Sequence, residues 1–99
     1  MVYKKTLPPK KRLEEFRNKY NLSHLENYDI QQIIKDEKLP YRAAKVLDYA
    51  YIRNLKELLE FFIEDRREFL KFLYCGEKTF HEIERVCLKH LKTLAEEQP

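Results

Sequence analysis

Glycine occurs once in these 99 residues, at Gly76, and proline four times, three of them near the ends. A β-rich fold needs turn-forming residues between its strands, and this chain has too few. Ser23 is the only serine, and it stands at capping spacing ahead of Glu26. Nucleophilic catalysis by a hydroxyl therefore has little to stand on. The two cysteines, Cys75 and Cys87, form no CxxC pair, which suits free thiols in a reducing compartment. No apolar run approaches the roughly 20 residues needed to span a bilayer. The start, Met1 to Arg12, is basic but lacks the apolar stretch of a secretory signal. The expectation is a cytoplasmic chain with no membrane partner.

What is present points to helices. Apolar residues make up 43% and charged residues 37%, a folded rather than a disordered balance. Lys, Glu, Leu and Arg dominate, and all favour helix. The expected fold class is all-α, as one compact domain of five or six helices. The net charge of +3 is unevenly spread. Residues 1–19 carry seven Lys or Arg against Glu14 and Glu15, whereas residues 39–99 are balanced at eleven of each sign. A basic arm attracts nucleic acid or an acidic partner, or simply keeps the chain solvated. The neutral second half argues against strong non-specific DNA affinity, which grows with the number of phosphates neutralised.

Along the chain, Pro8 and Pro9 separate a flexible basic arm (1–10) from a helical extension (11–38). There Leu13, Phe16 and Tyr20 share one helical face. Ser23 and Glu26 have capping-box spacing, so a helix is expected to start there. Asp29 offers a second start, leaving one segment and two both open. Leu39-Pro40 marks the boundary of a third unit (39–96), with Pro40 in a first helical turn. Its first helix turns Ala43, Val46, Leu47 and Ala50 inward and Arg42, Lys45 and Asp48 outward. Asn54 with Glu57, and Asp65 with Glu68, are further caps. Gly76 interrupts the apolar run that follows and is the natural place for a positive φ. Beyond it, Phe80, Ile83, Cys87, Leu91 and Leu94 are spaced 3, 4, 4 and 3, a continuous stripe on a long helix.

Leu70 to Ile83 reads as hydrophobic residues, a glycine hinge, and a helix opening with Lys78 and Thr79. Such an opening points unbonded N–H groups outward at the positive end of a helix dipole, a seat for phosphate. Capping alone accounts for many helices that begin in this way. The ordered set Tyr41-Arg42, Leu55-Lys56-Glu57-Leu58, Gly76-Glu77-Lys78-Thr79 and Phe80-His81-Glu82-Ile83 resembles the C-terminal domain of the bacterial RNA polymerase α subunit. That family opens a first helix with Val-Arg and has Leu-x-Glu-Leu, Gly-x-Lys-Ser and Leu-x-Glu-Ile in the same order. The likeness runs from Leu39 to Leu94, over half of the chain.

The resemblance implies a helix-hairpin-helix core and DNA binding in a transcription-related role, with A·T-rich duplex as ligand. RNA polymerase or a transcription factor is a further implied partner. Carried over by position, the DNA-binding residues are Arg42, Lys45, Gly76, Lys78, Thr79 and Glu82. Arg42 is expected to enter the narrow minor groove. Lys78, Thr79 and the N–H groups after Gly76 are expected to hold phosphate. Glu82 is expected to orient Arg42 or Lys78. Three departures stand out: Lys45 replaces the usual Asn, Tyr51 replaces the glycine expected before Ile52, and the connector before the hairpin is about three residues longer. The chain also lacks the assembly domain of an α subunit, so it reads as a stand-alone relative. The runner-up is a protein-interaction module that docks on RNA polymerase, a regulator or itself.

No enzyme, cofactor or small-molecule substrate is expected. Cys75, His81, Cys87 and His90 match no compact zinc-finger spacing, and Cys87 falls within the apolar stripe. Most aromatics sit at core spacing, as Phe16, Phe69, Phe72 and Phe80 do. Tyr41 and Tyr74 are exceptions that flank the proposed surface.

Overall fold

Helix α1 (Pro9–Lys19) begins on a proline, whose missing N–H has no partner in a first turn anyway. The computed structural model describes residues 9–99, so most of the expected basic arm lies outside them. The remaining α-helices are α2 (Ile30–Asp36), α3 (Tyr41–Tyr49), α4 (Leu55–Asp65) and α5 (Glu77–Glu97). Two 3-10 helices, Ser23–Asn27 and Arg66–Lys71, join them, and no strand occurs among the described residues. The Cα radius of gyration, 13.6 Å, is close to the ~13 Å of a compact domain of this size.

Local chemistry sets most of the boundaries. Asp29 and Asn54 face each other in an isolated antiparallel bridge, closed by Ile30 N–H to Arg53 O and Leu55 N–H to Tyr28 O, both 2.9 Å. Each bridge residue also caps a helix. The Asp29 carboxylate accepts from the Gln31 N–H (3.0 Å) to start α2, and Asn54 Oδ1 accepts from the Glu57 N–H (2.9 Å) to start α4. Glu57 reaches back to the Arg53 N–H at 2.7 Å, a variant of the reciprocal capping box. Asp29 thus resolves the ambiguous stretch into two segments. Asp65 caps a 3-10 helix, not an α-helix, through the Arg67 N–H (3.2 Å). Pro40 stands just before α3 in extended conformation, one residue earlier than expected.

The Ser23–Glu26 capping box does not form. The Ser23 hydroxyl is 2.8 Å from Asn21 Oδ1 and is engaged upstream. The helix it was expected to open is a 3-10 turn preceded by Leu22, with no side-chain cap.

Two helices end in the Schellman arrangement without glycine. After α2, Lys38 (φ 53°) donates to Lys35 O and Leu39 to Ile34 O. After α3, Tyr51 (φ 57°) donates to Asp48 O and Ile52 to Leu47 O. In both, the residue after the left-handed one is apolar and buried (Leu39, Ile52), which holds the turn closed.

One hydrophobic cluster runs through the whole described chain. Phe16, Leu25 and Ile33 from the N-terminal segment join Leu47, Leu58, Phe69, Phe80 and Ile83. Each large side chain fully withdrawn from water, such as Phe69 or Phe80, contributes about 2–3 kcal/mol. Helix α4 lies at the centre, burying Leu55, Leu58, Leu59 and Phe62. Helix α1 packs along it, with Arg17 paired to Glu60 at 2.6 Å. Arg12 donates to the carbonyl of Glu64 in the last turn of α4, at 2.8 Å. The stripe on α5 is buried as its spacing requires, except that Leu91 is only partly covered and Val86 joins it. Glu37, just past α2, ties that helix to α5 by accepting from Lys89 at 2.8 Å. No helix among the described residues is long and apolar enough to cross a membrane.

Candidate nucleic-acid interface

Helix α3 is amphipathic in a way that builds a surface. Ala43, Val46 and Leu47 are buried, leaving Tyr41, Lys45 and Tyr49 at i, i+4 and i+8 on an outer stripe with Arg42 beside it. Tyr41 is 74% exposed, and Arg42 is exposed too. Lys45 Nζ lies 5.4 Å from the centre of the Tyr41 ring, within cation–π reach.

The segment ahead of α5 supplies the opposite wall. The Cys75 N–H bonds to Phe72 O at 3.1 Å, closing a turn in which Tyr74 has φ 71°. That is the glycine position of a type II turn. The expected glycine hinge is thus displaced by two residues. Gly76 itself has φ −82° and ψ −179°, extended backbone open to any residue, and serves as the N-cap of α5. A Cβ placed on Gly76 meets nothing within 4 Å. Gly76 is not a left-handed hinge; Tyr74 is. Phe69 and Phe80, both buried, anchor the chain on either side of this turn.

Arg42 and Tyr74 line two adjoining depressions. One, of about 380 Å³, is bounded by Tyr41, Arg42, Lys45, Tyr49 and Tyr74. The other, broad and open, joins Arg42 to Lys71 and the Phe72–Gly76 turn. Arg42 therefore faces the same cleft as Gly76, although 34 positions separate them. Lys71 is neutralised by Glu68 at 2.9 Å. Arg42 and Lys45 have no acidic group within 4 Å among the described residues.

The other sequence-derived candidates are not gathered here. Lys78 is exposed but lines neither depression. Thr79 is 8% exposed, among the packed residues of α5, so its hydroxyl is poorly placed to grip a phosphate. Glu82 pairs with Arg85 at 3.2 Å, three residues along the same helix. Its partner is Arg85, in place of the expected Arg42 or Lys78. Sequence reasoning missed Tyr49, whose ring stacks on Tyr74 with centroids 6.2 Å apart and planes 17° apart. The signal was present in the 41, 45, 49 spacing.

Cys75 and Cys87 are free and buried, and burial pushes both thiols upward, so neither is an activated nucleophile. Among the described residues no three His, Cys, Asp or Glu side chains cluster in a way that could hold a metal ion. Comparison of the chain with protein-family models, with curated proteins and with solved structures gives no match.

Proposed function

We propose that this chain is a nucleic-acid-binding module in a transcription-related role, with the cleft between α3 and the Phe72–Gly76 turn as its contact surface. One observation carries the reading: Arg42, exposed and without an acidic partner among the described residues, shares that cleft with the turn leading into α5. An uncompensated guanidinium beside Lys45 is a seat for phosphate or for a base edge. The motif order from Tyr41-Arg42 to Gly76-Glu77-Lys78-Thr79 supports DNA as the polymer and a helix-hairpin-helix-like core as the frame. The resemblance alone supplies the narrow groove of A·T-rich duplex as the form of DNA.

The test is fluorescence anisotropy on A·T-rich DNA that has a duplex part and a single-stranded tail, at several salt concentrations. Salt-dependent binding is expected, with Arg42→Ala about tenfold weaker. Absence of salt-dependent binding, or an Arg42→Ala variant as tight as wild type, rejects the reading.

The second reading is a protein-interaction module that docks on RNA polymerase, a regulator or itself. It rests on surface composition. Tyr41, Tyr51, Leu73 and Tyr74 are all more than half exposed, and Tyr with Arg dominates protein hot spots. A pull-down that retains a specific protein and no nucleic acid decides for it.

A further inference from the structure

We infer that the cleft takes single-stranded nucleic acid, with an unpaired base stacked on Tyr74 and the adjacent phosphates held by Arg42 and Lys45. The inference rests on the nucleic-acid reading above and names the form of its ligand.

The lining decides between the forms. A duplex hides its base faces and offers a minor groove about 6 Å wide, which suits one extended arginine. Here Arg42 does not stand alone: Tyr41, Tyr49 and Tyr74 share its lining, at 74%, 41% and 51% exposure. Rings so exposed beside a guanidinium crowd an approach to that groove, yet they match the flat faces of unpaired bases. Aromatic side chains alternating with cations are the recurrent solution for single strands. The Tyr49–Tyr74 stack is a ready platform, since one ring already braces the other. Lys45, within cation–π reach of Tyr41, stands on the same stripe as Tyr49, so charge and ring lie side by side.

Charge points the same way. Residues 39–99 carry no net charge, so within them a polyanion is drawn by local cations such as Arg42 and Lys45 rather than by a broad positive field. Stacking supplies affinity that does not depend on counterion release. Tyr74 also holds a left-handed conformation that glycine would adopt at less cost, while the chain's one glycine sits two residues on in a conformation any residue accepts. Lys38 and Tyr51 share that conformation, but of the three only Tyr74 lines the cleft.

The experiment compares full-length wild type with Tyr74→Gly, Tyr74→Phe and Arg42→Ala, using fluorescein-labelled oligothymidine and a blunt A·T-rich duplex. Thermal melting of each variant checks folding; Tyr74→Gly keeps the backbone of the turn at lower strain. The single strand is expected to bind at least about tenfold tighter than the duplex, with Tyr74→Gly weakening it about tenfold and Tyr74→Phe nearly unchanged. Arg42→Ala should reduce the salt slope by about 0.7, the value of one phosphate on a single strand. A duplex bound as tightly as the single strand overturns this inference, and if Arg42→Ala weakens that binding about tenfold, the broader nucleic-acid reading stands. Single-strand binding indifferent to Tyr74→Gly also overturns it. Binding of neither probe overturns both.

Discussion

Tyr74 stacks on Tyr49 across 25 positions of sequence, with ring planes 17° apart, while its own backbone sits at φ 71°. The contact joins the outer stripe of α3 to the turn before α5. Both rings line the cleft that the two segments form. The contact also marks where this chain departs from the cheapest backbone solution. Glycine is scarce here, and among the described residues the left-handed positions fall on Lys38, Tyr51 and Tyr74 instead.

That departure has a measurable cost at the helix ends. Tyr51 is 81% exposed, so its ring contributes little burial while its backbone pays the left-handed penalty. Tyr51→Gly is expected to stabilise the fold by about 0.5–1 kcal/mol, and Lys38→Gly by a similar amount. Urea unfolding measures both. A loss of stability in either variant would contradict the Schellman assignment.

Gly76 gives the converse prediction. Its backbone is extended and a Cβ has room, so a side chain should be accepted. Gly76→Ser adds an N-cap oxygen to α5 and is expected to gain a few tenths of a kcal/mol. A true left-handed hinge would instead lose about 1 kcal/mol or more. Thermal melting separates the two.

The N-terminal segment shares the core, and its removal from that core should be costly. Phe16 is 8% exposed, with Tyr20 edge-on at 5.5 Å. Phe16→Ala is expected to cost about 3 kcal/mol and to shift a single cooperative transition. Unfolding of α1 alone, with the rest of the chain unaffected, would show it to be an appendage.

Acid should loosen the junction of α2 and α5. Burial pushes the His90 imidazole below its ordinary value, against the pull of Glu37, whose carboxylate lies 3.5 Å from Nε2. The unfolded chain therefore binds the proton more readily than the folded one. Stability from neutral His90 is complete above its unfolded pKa of about 6.5 and falls as pH drops through the lower folded value. Glu37 follows at lower pH. The hydrogen bond from Lys89 leads in holding its carboxyl below the ordinary value, with help from the charges of Lys89, His90 and Arg85 against the cost of burial. Its share is present above about pH 4.3 and is lost as pH falls through the folded pKa. Urea midpoints at several pH values from 7.5 down to about 5 should decline for wild type. The decline should be smaller for His90→Gln, and an identical decline would exclude His90 as its source.

The helical character of this protein is local information. A capping asparagine acts on an N–H three residues away, and a helical hydrogen bond spans four. Asn54 before α4, the inward Ala43, Val46 and Leu47, and the 3-4-4-3 stripe of α5 could therefore be read directly from spacing. The same local rules failed where two short-range options compete. Ser23 chose Asn21 over a helix start, because a hydroxyl bonds whichever neighbour the chain brings within reach. The cleft was beyond such rules altogether. Whether Arg42 meets the Phe72–Gly76 turn depends on how α3 and α5 seat against one shared core, as does the choice of Tyr74 over Gly76 for the left-handed bend. Close packing admits few arrangements of those large side chains, and it is the sum of their contacts, rather than any single residue's preference, that sets the path of the backbone between them.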